Sequence, residues 1–266
     1  MFNHENLKGR VAVVTGGGGV LCGGFAKDLA KLGVPVVLSC KVGKDSFGDF
    51  VKNTAAANGV DVKGVVSGDV DTTVSIVCVS SKGERSFLYN PGSAADFKLS
   101  DIPDELIDEC DIVFVAGAML LSSFDGAPCA ELMRRAREKG KYTVMDTAWD
   151  FDDVWLPKIR EVIPHLDLFM PSIDEAAKLV GLPADNANAI ADKLFELGAD
   201  NVIVKVGKDG ALICTGQYLQ LVAMGFSALA MAVFTHFAEK KKMAWLDNFS
   251  IAGSMLAAMA VAVVIG

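Results

Sequence analysis

Residues 166–216 read LDLFMPSIDEAAKLVGLPADNANAIADKLFELGADNVIVKVGKDGALICTG, and their pattern decides the fold class. LDLFM is a short apolar run of strand length. SIDEAAKLVG opens on Ser172 with Glu175 three residues later, the spacing of a capping box, and closes on Gly181. NANAIADKLFELG is a second helical pattern, closed by Gly198. NVIVKVG and ALICTG then read as adjacent strands around a GKDG turn.

The same rhythm extends upstream. VAVVT at 11–15, VPVVLSC at 34–40, IVFVAG at 112–117 and YTVMD at 142–146 read as strands. Residues 25–32, SFGDFVKNTAAANG at 46–59 and APCAELMRRAREKG at 127–140 read as helices. Strands separated by helices predict a parallel, doubly wound α/β sheet, with ligands at the carboxyl ends of its strands. Between 62 and 90 the runs VKGVV, TTVSIVCVS and RSFLYN, split by SGD and SKGE, predict a small antiparallel flap.

Composition narrows the function. The net charge is −8, with no basic stripe, which excludes nucleic-acid binding. Cysteines at 22, 40, 78, 110, 129 and 214 form no CxxC pair, so neither a zinc site nor a disulfide framework is predicted. Scattered thiols fit a reducing, cytoplasmic setting. MFNHENLKGR lacks the apolar core of a secretory leader.

The run Thr15-Gly16-Gly17-Gly18-Gly19-Val20-Leu21-Cys22-Gly23 follows a strand and precedes a helix. Glycines there let a backbone approach a pyrophosphate at a helix N-terminus. A tight structural turn is the competing reading. LKGRVAVVTGGGG resembles the start of short-chain dehydrogenases, which implies a nicotinamide site. Such enzymes pair a tyrosine with a lysine four residues on. Here Ser93, Asp146 and Val222 stand four residues after Tyr89, Tyr142 and Tyr218, so NAD-dependent chemistry is disfavoured.

From Gly33 onward the chain resembles the PfkB, or ribokinase-like, sugar kinases. The resemblance rests on LGVPVVLSCKVGKDSFGDFV, GVDVKGVV, KGERSFLYNPGSA, LDLFMPSIDEAAKLVG and VIVKVGKDGALICTG, in the family's order. It implies a ribokinase-like fold with a β-lid and transfer of the ATP γ-phosphate to a sugar hydroxyl. It further implies that Gly43, Asp45, Arg85, Asn90 and Gly92 border the sugar. Asp146, Glu175, Lys205, Gly207 and Gly210 would then border the nucleotide, with Glu175 reaching Mg2+ through water. Each position has a plainer reading beside this one. Gly43, Asp45 and Gly48 fit a capping turn, Arg85 a solvated edge charge, Ser172 with Glu175 a capping box, and Lys205 to Gly210 a bare turn. The resemblance also implies a homodimer contact through the lid.

Three family features are missing from the sequence. The glycine run stands where the family carries an early aspartate and a Gly-Gly/Asn cluster that hold the sugar. Ser172 stands where the family's Asn-x-x-Glu motif has asparagine. No Gly-Ala-Gly-Asp, the family's anion hole and catalytic base, follows Gly216; Asp247 in WLDNF is the nearest candidate base. Positions 211–238 and 248–266 hold no Asp, Glu, Lys or Arg, and EKKK lies between them. Such runs predict two apolar helices, as membrane spans or as buried core. The expected organisation is a dehydrogenase-like opening at 1–32, a kinase core at 33–216 and a hydrophobic tail at 217–266. The expected function is a PfkB-type sugar kinase of impaired activity. A non-catalytic sugar- or nucleotide-binding protein with a membrane-attached tail is the alternative.

Overall fold

A computed structural model describes residues 12–15, 26–27, 29–31, 33–81 and 85–215. The glycine run at 16–23, Asp247 and both charge-free tail helices fall outside the described residues. Two compact units divide the described chain between Val162 and Ile163.

The first unit is built on five strands in the order β7-β6-β1-β2-β3. They are β1 (Ala12–Thr15), β2 (Val36–Gly43), β3 (Asp61–Gly68), β6 (Ile112–Ala118) and β7 (Tyr142–Thr147). Every neighbouring pair is parallel, so all their carboxyl ends share one edge. β2 and β6 are buried along nearly their whole length, which accounts for their largely apolar sequences. The opening strand β1 lies between them, in register with both. Helix Ser46–Ala57 packs on β2 and β3, and helix Ala127–Glu138 packs on β7.

The flap is smaller than the sequence predicts. VKGVV belongs to β3, which pairs with β2 rather than with the flap. Gly64 makes that pairing close: a side chain there would meet the Leu38 carbonyl at 2.7 Å. Only β4 (Val74–Val79) and β5 (Arg85–Asn90) form the antiparallel ribbon.

The second unit has strand order β10-β9-β8. β8 (Leu168–Phe169) is shorter than LDLFM suggested, and the Asp167 carbonyl before it accepts from the Asn201 side chain at 2.8 Å. β8 and β9 (Asn201–Lys205) are parallel, while β10 (Ala211–Thr215) returns antiparallel to β9. Helices Ile173–Val180 and Ala187–Glu196 pack on β9 and on each other. No helix among the described residues is long and apolar enough to cross a membrane.

Candidate active site

The end of β2 and the two stalks of the ribbon are tied in a single knot. Asp45 caps helix Ser46–Ala57, its Oδ1 accepting from the Gly48 amide at 2.8 Å. Oδ1 also accepts from the Thr72 hydroxyl at 2.7 Å, and Oδ2 from the Thr72 amide at 2.7 Å. The Thr72 hydroxyl in turn accepts from the Gly43 amide at 2.8 Å. These bonds hold the Asp45 carboxyl below its ordinary range, the Thr72 amide contributing most, then the Thr72 hydroxyl and the Gly48 amide.

The returning stalk is held equally closely. The Ser93 amide donates to the Asp71 carbonyl, and the Ser93 hydroxyl to the Lys41 carbonyl, both at 2.8 Å. The Thr73 hydroxyl donates to the Pro91 carbonyl at 2.6 Å. Gly92 sits at φ +44°, where a side chain would meet the Asp71 carbonyl at 2.5 Å. Gly43, Asp45 and Gly92 therefore converge on Thr72. Asn90 is exposed at the base of β5, opposite Val74. Arg85 begins β5 at the other end, about 17 Å away by the rise of a strand. Thr72 was not singled out from the sequence: it opens the strand run TTVSIVCVS, and nothing in that run marks which hydroxyl is buried.

Two loops leave this edge in strained conformations, one pinned by the half-buried Asp125 and the other by the buried Asp150. After β6, Met119 has φ 85°, and Asp125 accepts from the Met119 amide at 3.2 Å and the Leu121 amide at 3.0 Å. After β7, Asp153 and Trp155 have φ 52° and 61°. Asp150 there accepts from the Val154 amide (2.8 Å), the Trp155 amide (2.6 Å) and Lys158 Nζ (2.6 Å). Left-handed backbone at non-glycine residues persists only where surrounding bonds enforce it, and it concentrates at ligand sites. Asp146 lies half-buried near the end of β7, on the same edge.

Burial pushes both acids up, yet they end on opposite sides of their ordinary range. It raises Asp150, but Lys158 and the loop amides outweigh it and hold the group below its ordinary range. At Asp125 burial is the larger effect and carries it from 3.8 to about 6, despite its two amide donors and the nearby Lys158 charge. Between those values the folded chain binds more protons than the unfolded one, so this group's contribution to stability falls as pH rises. Asp125→Asn has no such titration. Wild-type stability relative to Asp125→Asn is expected to drop by about 2 kcal/mol between pH 4.5 and 7.5. Urea unfolding of both proteins at the two pH values measures this, and a pH-independent difference would contradict it.

The second unit brings Ser172, Glu175 and Lys205 together. Ser172 caps helix Ile173–Val180, accepting from the Glu175 amide at 3.4 Å while Glu175 Oε2 accepts from the Ser172 amide at 2.9 Å. Ser172 also bridges to Lys205 at the end of β9. Gly207 and Gly210 shape the following turn, at φ +61° and +100°, with open space where side chains would stand. The Val206 amide closes the turn on the Gly210 carbonyl at 2.8 Å. Among the described residues no three His, Cys, Asp or Glu side chains cluster closely enough to hold a metal ion.

A family profile for pfkB family carbohydrate kinases matches residues 6–227. The chain belongs to the PfkB family of carbohydrate kinases. Because the match starts at residue 6, it takes in the strand and glycine run that resembled a dehydrogenase, and that resemblance has no further support. The match also passes residue 217, so a separate membrane-like tail beginning there is unsupported as well. Among curated PfkB relatives, aminoimidazole riboside kinase of Salmonella typhimurium is 29% identical over 184 residues, 66% of this chain. A 5-dehydro-2-deoxygluconokinase of Clostridium perfringens is 26% identical over 202 residues, 72% of this chain. The chain spans 56% and 60% of the length of these two relatives. Among solved structures, fructokinase from Xylella fastidiosa superposes with TM-score 0.68 at 20% identity, over 96% of this chain and 93% of its own. Arabidopsis thaliana ribokinase complexed with ribose and ATP gives 0.66 at 18% identity, over 79% and 75%. The fold is ribokinase-like α/β.

Proposed function

We propose that this chain binds a small sugar-type substrate beneath the ribbon and ATP at the β9–β10 turn, for transfer of the γ-phosphate to a substrate hydroxyl. The observation that carries this reading is the knot at Thr72. It fixes both stalks of a two-stranded ribbon at the carboxyl end of β2, the edge where α/β sheets bind ligands. A ribbon held at its base can close over a substrate and exclude water, which otherwise competes for the phosphoryl group.

Gly43, Gly92 and Asp146 would border the substrate; Asn90 shares the ribbon face of Ile76 and Leu88. Asp45 would act mainly by holding Thr72, since its carboxylate is taken up there. Lys205, Gly207 and Gly210 would border the nucleotide. Since no three carboxylate, His or Cys side chains cluster among the described residues, magnesium would come as a hydrated ion on the nucleotide phosphates, and Glu175 would meet it through water. When bound it would neutralise charge on those phosphates. The absence of Gly-Ala-Gly-Asp from residues 217–266 leaves the reaction without the family's anion hole and base, and turnover is expected only at a trace. Asp247 is the candidate substitute. The exposed Ile76 and Leu88 on one face of the ribbon support a homodimer contact there.

Ligand-induced stabilisation tests the binding part. At about 100 Kd of ligand the gain is about 2.7 kcal/mol, or roughly 5–11 °C in melting temperature. MgATP is expected to stabilise the chain, and Lys205→Ala to weaken that shift selectively. No stabilisation by MgATP or by any of a panel of sugars and nucleosides would overturn the proposal.

A further inference from the structure

The ribbon carries little packing of its own. From Ser75 to Val79 and from Ser86 to Asn90, every residue is exposed except Tyr89, which is half-buried. A two-stranded ribbon of this kind is marginal by itself, and the knot at Thr72 fixes its stalks. Just above the stalks, the Tyr89 ring lies nearly flat against Phe151, with centroids 5.3 Å apart and planes 15° apart. From Tyr89, β5 extends about 13 Å back to Arg85 by the rise of a strand. A stop this near the stalk sets the angle of everything beyond it.

Phe151 lies in the loop after β7, and its two neighbours explain why it stands outward. Lys158, in the short helix Leu156–Ile159, donates from Nζ to Asp150 Oδ1 at 2.6 Å and to Asp152 Oδ2 at 2.7 Å. One ammonium thus draws in the side chains on both sides of Phe151. Asp150 also accepts from the Asp152, Val154 and Trp155 amides, at 3.1, 2.8 and 2.6 Å. The Trp149 ring meets Trp155 edge-on, with centroids 4.9 Å apart, which ties the two ends of the loop together. Phe151 is left 55% exposed, with the Tyr89 ring on one of its faces.

We propose that Phe151 is a latch: it holds the ribbon at one angle over the strand ends through Tyr89, and Lys158 holds Phe151 in place through Asp150 and Asp152. The chain's own side chains then set the ribbon's rest position, whatever binds beneath it. Swinging the ribbon away parts a stacked ring pair, which favours the latched form by roughly two- to tenfold. Passage of a molecule beneath the ribbon waits on that opening. The loop after β7 is in this way coupled to a ribbon that starts about sixty residues earlier in the chain.

Paired spin labels on Cys78 and on Asn53→Cys of the full chain measure the ribbon's angle as a distance. Cys78 is exposed on the ribbon face opposite Tyr89, and Asn53 is exposed on helix Ser46–Ala57 of the same unit. Cys40, Cys110, Cys129 and Cys214 are buried, and Cys22→Ser removes the remaining thiol. Dilution with unlabelled chain keeps the measured distances within one molecule. One main distance is expected. Phe151→Leu should raise the fraction of chains outside it roughly two- to tenfold, and Phe151→Tyr, which keeps the ring, should leave it unchanged. The melting curve should not move, because position 151 is exposed. Asp150→Asn with Lys158→Met removes the clamp without leaving a buried charge unpaired. That pair of changes is expected to match Phe151→Leu and to add nothing to it. Phe151→Leu decides the latch whether or not the pair folds. A broad distribution with Phe151 in place, or one that Phe151→Leu leaves as it was, would overturn the latch. A clamp variant that keeps the single distance would overturn the role of Lys158. No ligand takes part, so these outcomes are separate from those that test the kinase reading.

Discussion

Gly43→Ala is expected to lower the melting temperature by roughly 5–20 °C and to release the ribbon from the sheet. A methyl group at Gly43 would stand 2.6 Å from the Thr72 amide nitrogen and 2.8 Å from the Val70 carbonyl, both of them backbone. It would also stand 2.6 Å from Asp45 Oδ2. Neither backbone atom can withdraw without breaking the bonds that Thr72 makes to Asp45. Overpacking of this kind costs about 1–3 kcal/mol, and leaving the buried Gly43 amide without its acceptor adds about 1–3 kcal/mol. At roughly 2–4 °C per kcal/mol for a chain of this size, the range above follows. Thr72→Val removes the acceptor without adding bulk and should show the second part alone, while Thr72→Ser should restore it. Gly59→Ala is the control. Gly59 has φ +81° with open space around it, so only the cost of left-handed backbone applies, about 1–2 kcal/mol. Thermal melts and hydrogen exchange at the Gly43, Thr72 and Ser93 amides measure these effects. A Gly43→Ala shift no larger than that of Gly59→Ala would show that the knot is not closely packed.

The alternation of strands and helices was legible because its signals are local. Ser172 and Glu175 form the capping box that their spacing announced, and Gly181 ends that helix in the left-handed conformation. Helix Ser46–Ala57 and the β9–β10 hairpin lie where the periodicity put them. The sequence misled at 61–68, where VKGVV has the composition of a flap strand. Its place was decided by a partner strand more than twenty residues earlier, and by Gly64, whose close approach to Leu38 is invisible without that partner. The candidate site was legible in part. Gly43 was found as a turn glycine and Gly92 by the resemblance, but the reason for both is non-local: they pack against residues 70–73. Asp45 was read as facing substrate, and its engagement with Thr72 depends on a contact across the ribbon's stalk. Asp125 and Lys158 gave no signal, because an isolated acid in a loop and an isolated lysine in a short helix are ordinary in any sequence. Tyr89 and Phe151 are far apart in the chain, and only the fold turns one ring onto the other.

The central proposal is a kinase-family site that can hold its ligands but turns them over only at a trace. In the family reaction, donors aimed at the transferring phosphoryl group and an aspartate that takes the hydroxyl proton act together. Loss of one anion-hole donor costs about 100–1000-fold, and loss of the general base about 100–10,000-fold more. From an ordinary kinase turnover of about 1–100 per second, the two losses leave about 10⁻² per second at most and on the order of 10⁻⁷ at least. Supplying a PfkB-type segment with Gly-Ala-Gly-Asp after Gly216 should raise that rate, provided the substrate-holding residues near the start are compatible with it. The direct measurement is transfer of label from γ-labelled ATP by the unmodified 266-residue chain, with magnesium, across a panel of hexoses, pentoses and nucleosides. We expect MgATP to bind and product to form at no more than about 10⁻² per second with any acceptor. Turnover of about 1 per second or more with any acceptor would contradict this, and would mean that another carboxylate, with Asp247 the first to replace, serves as the base.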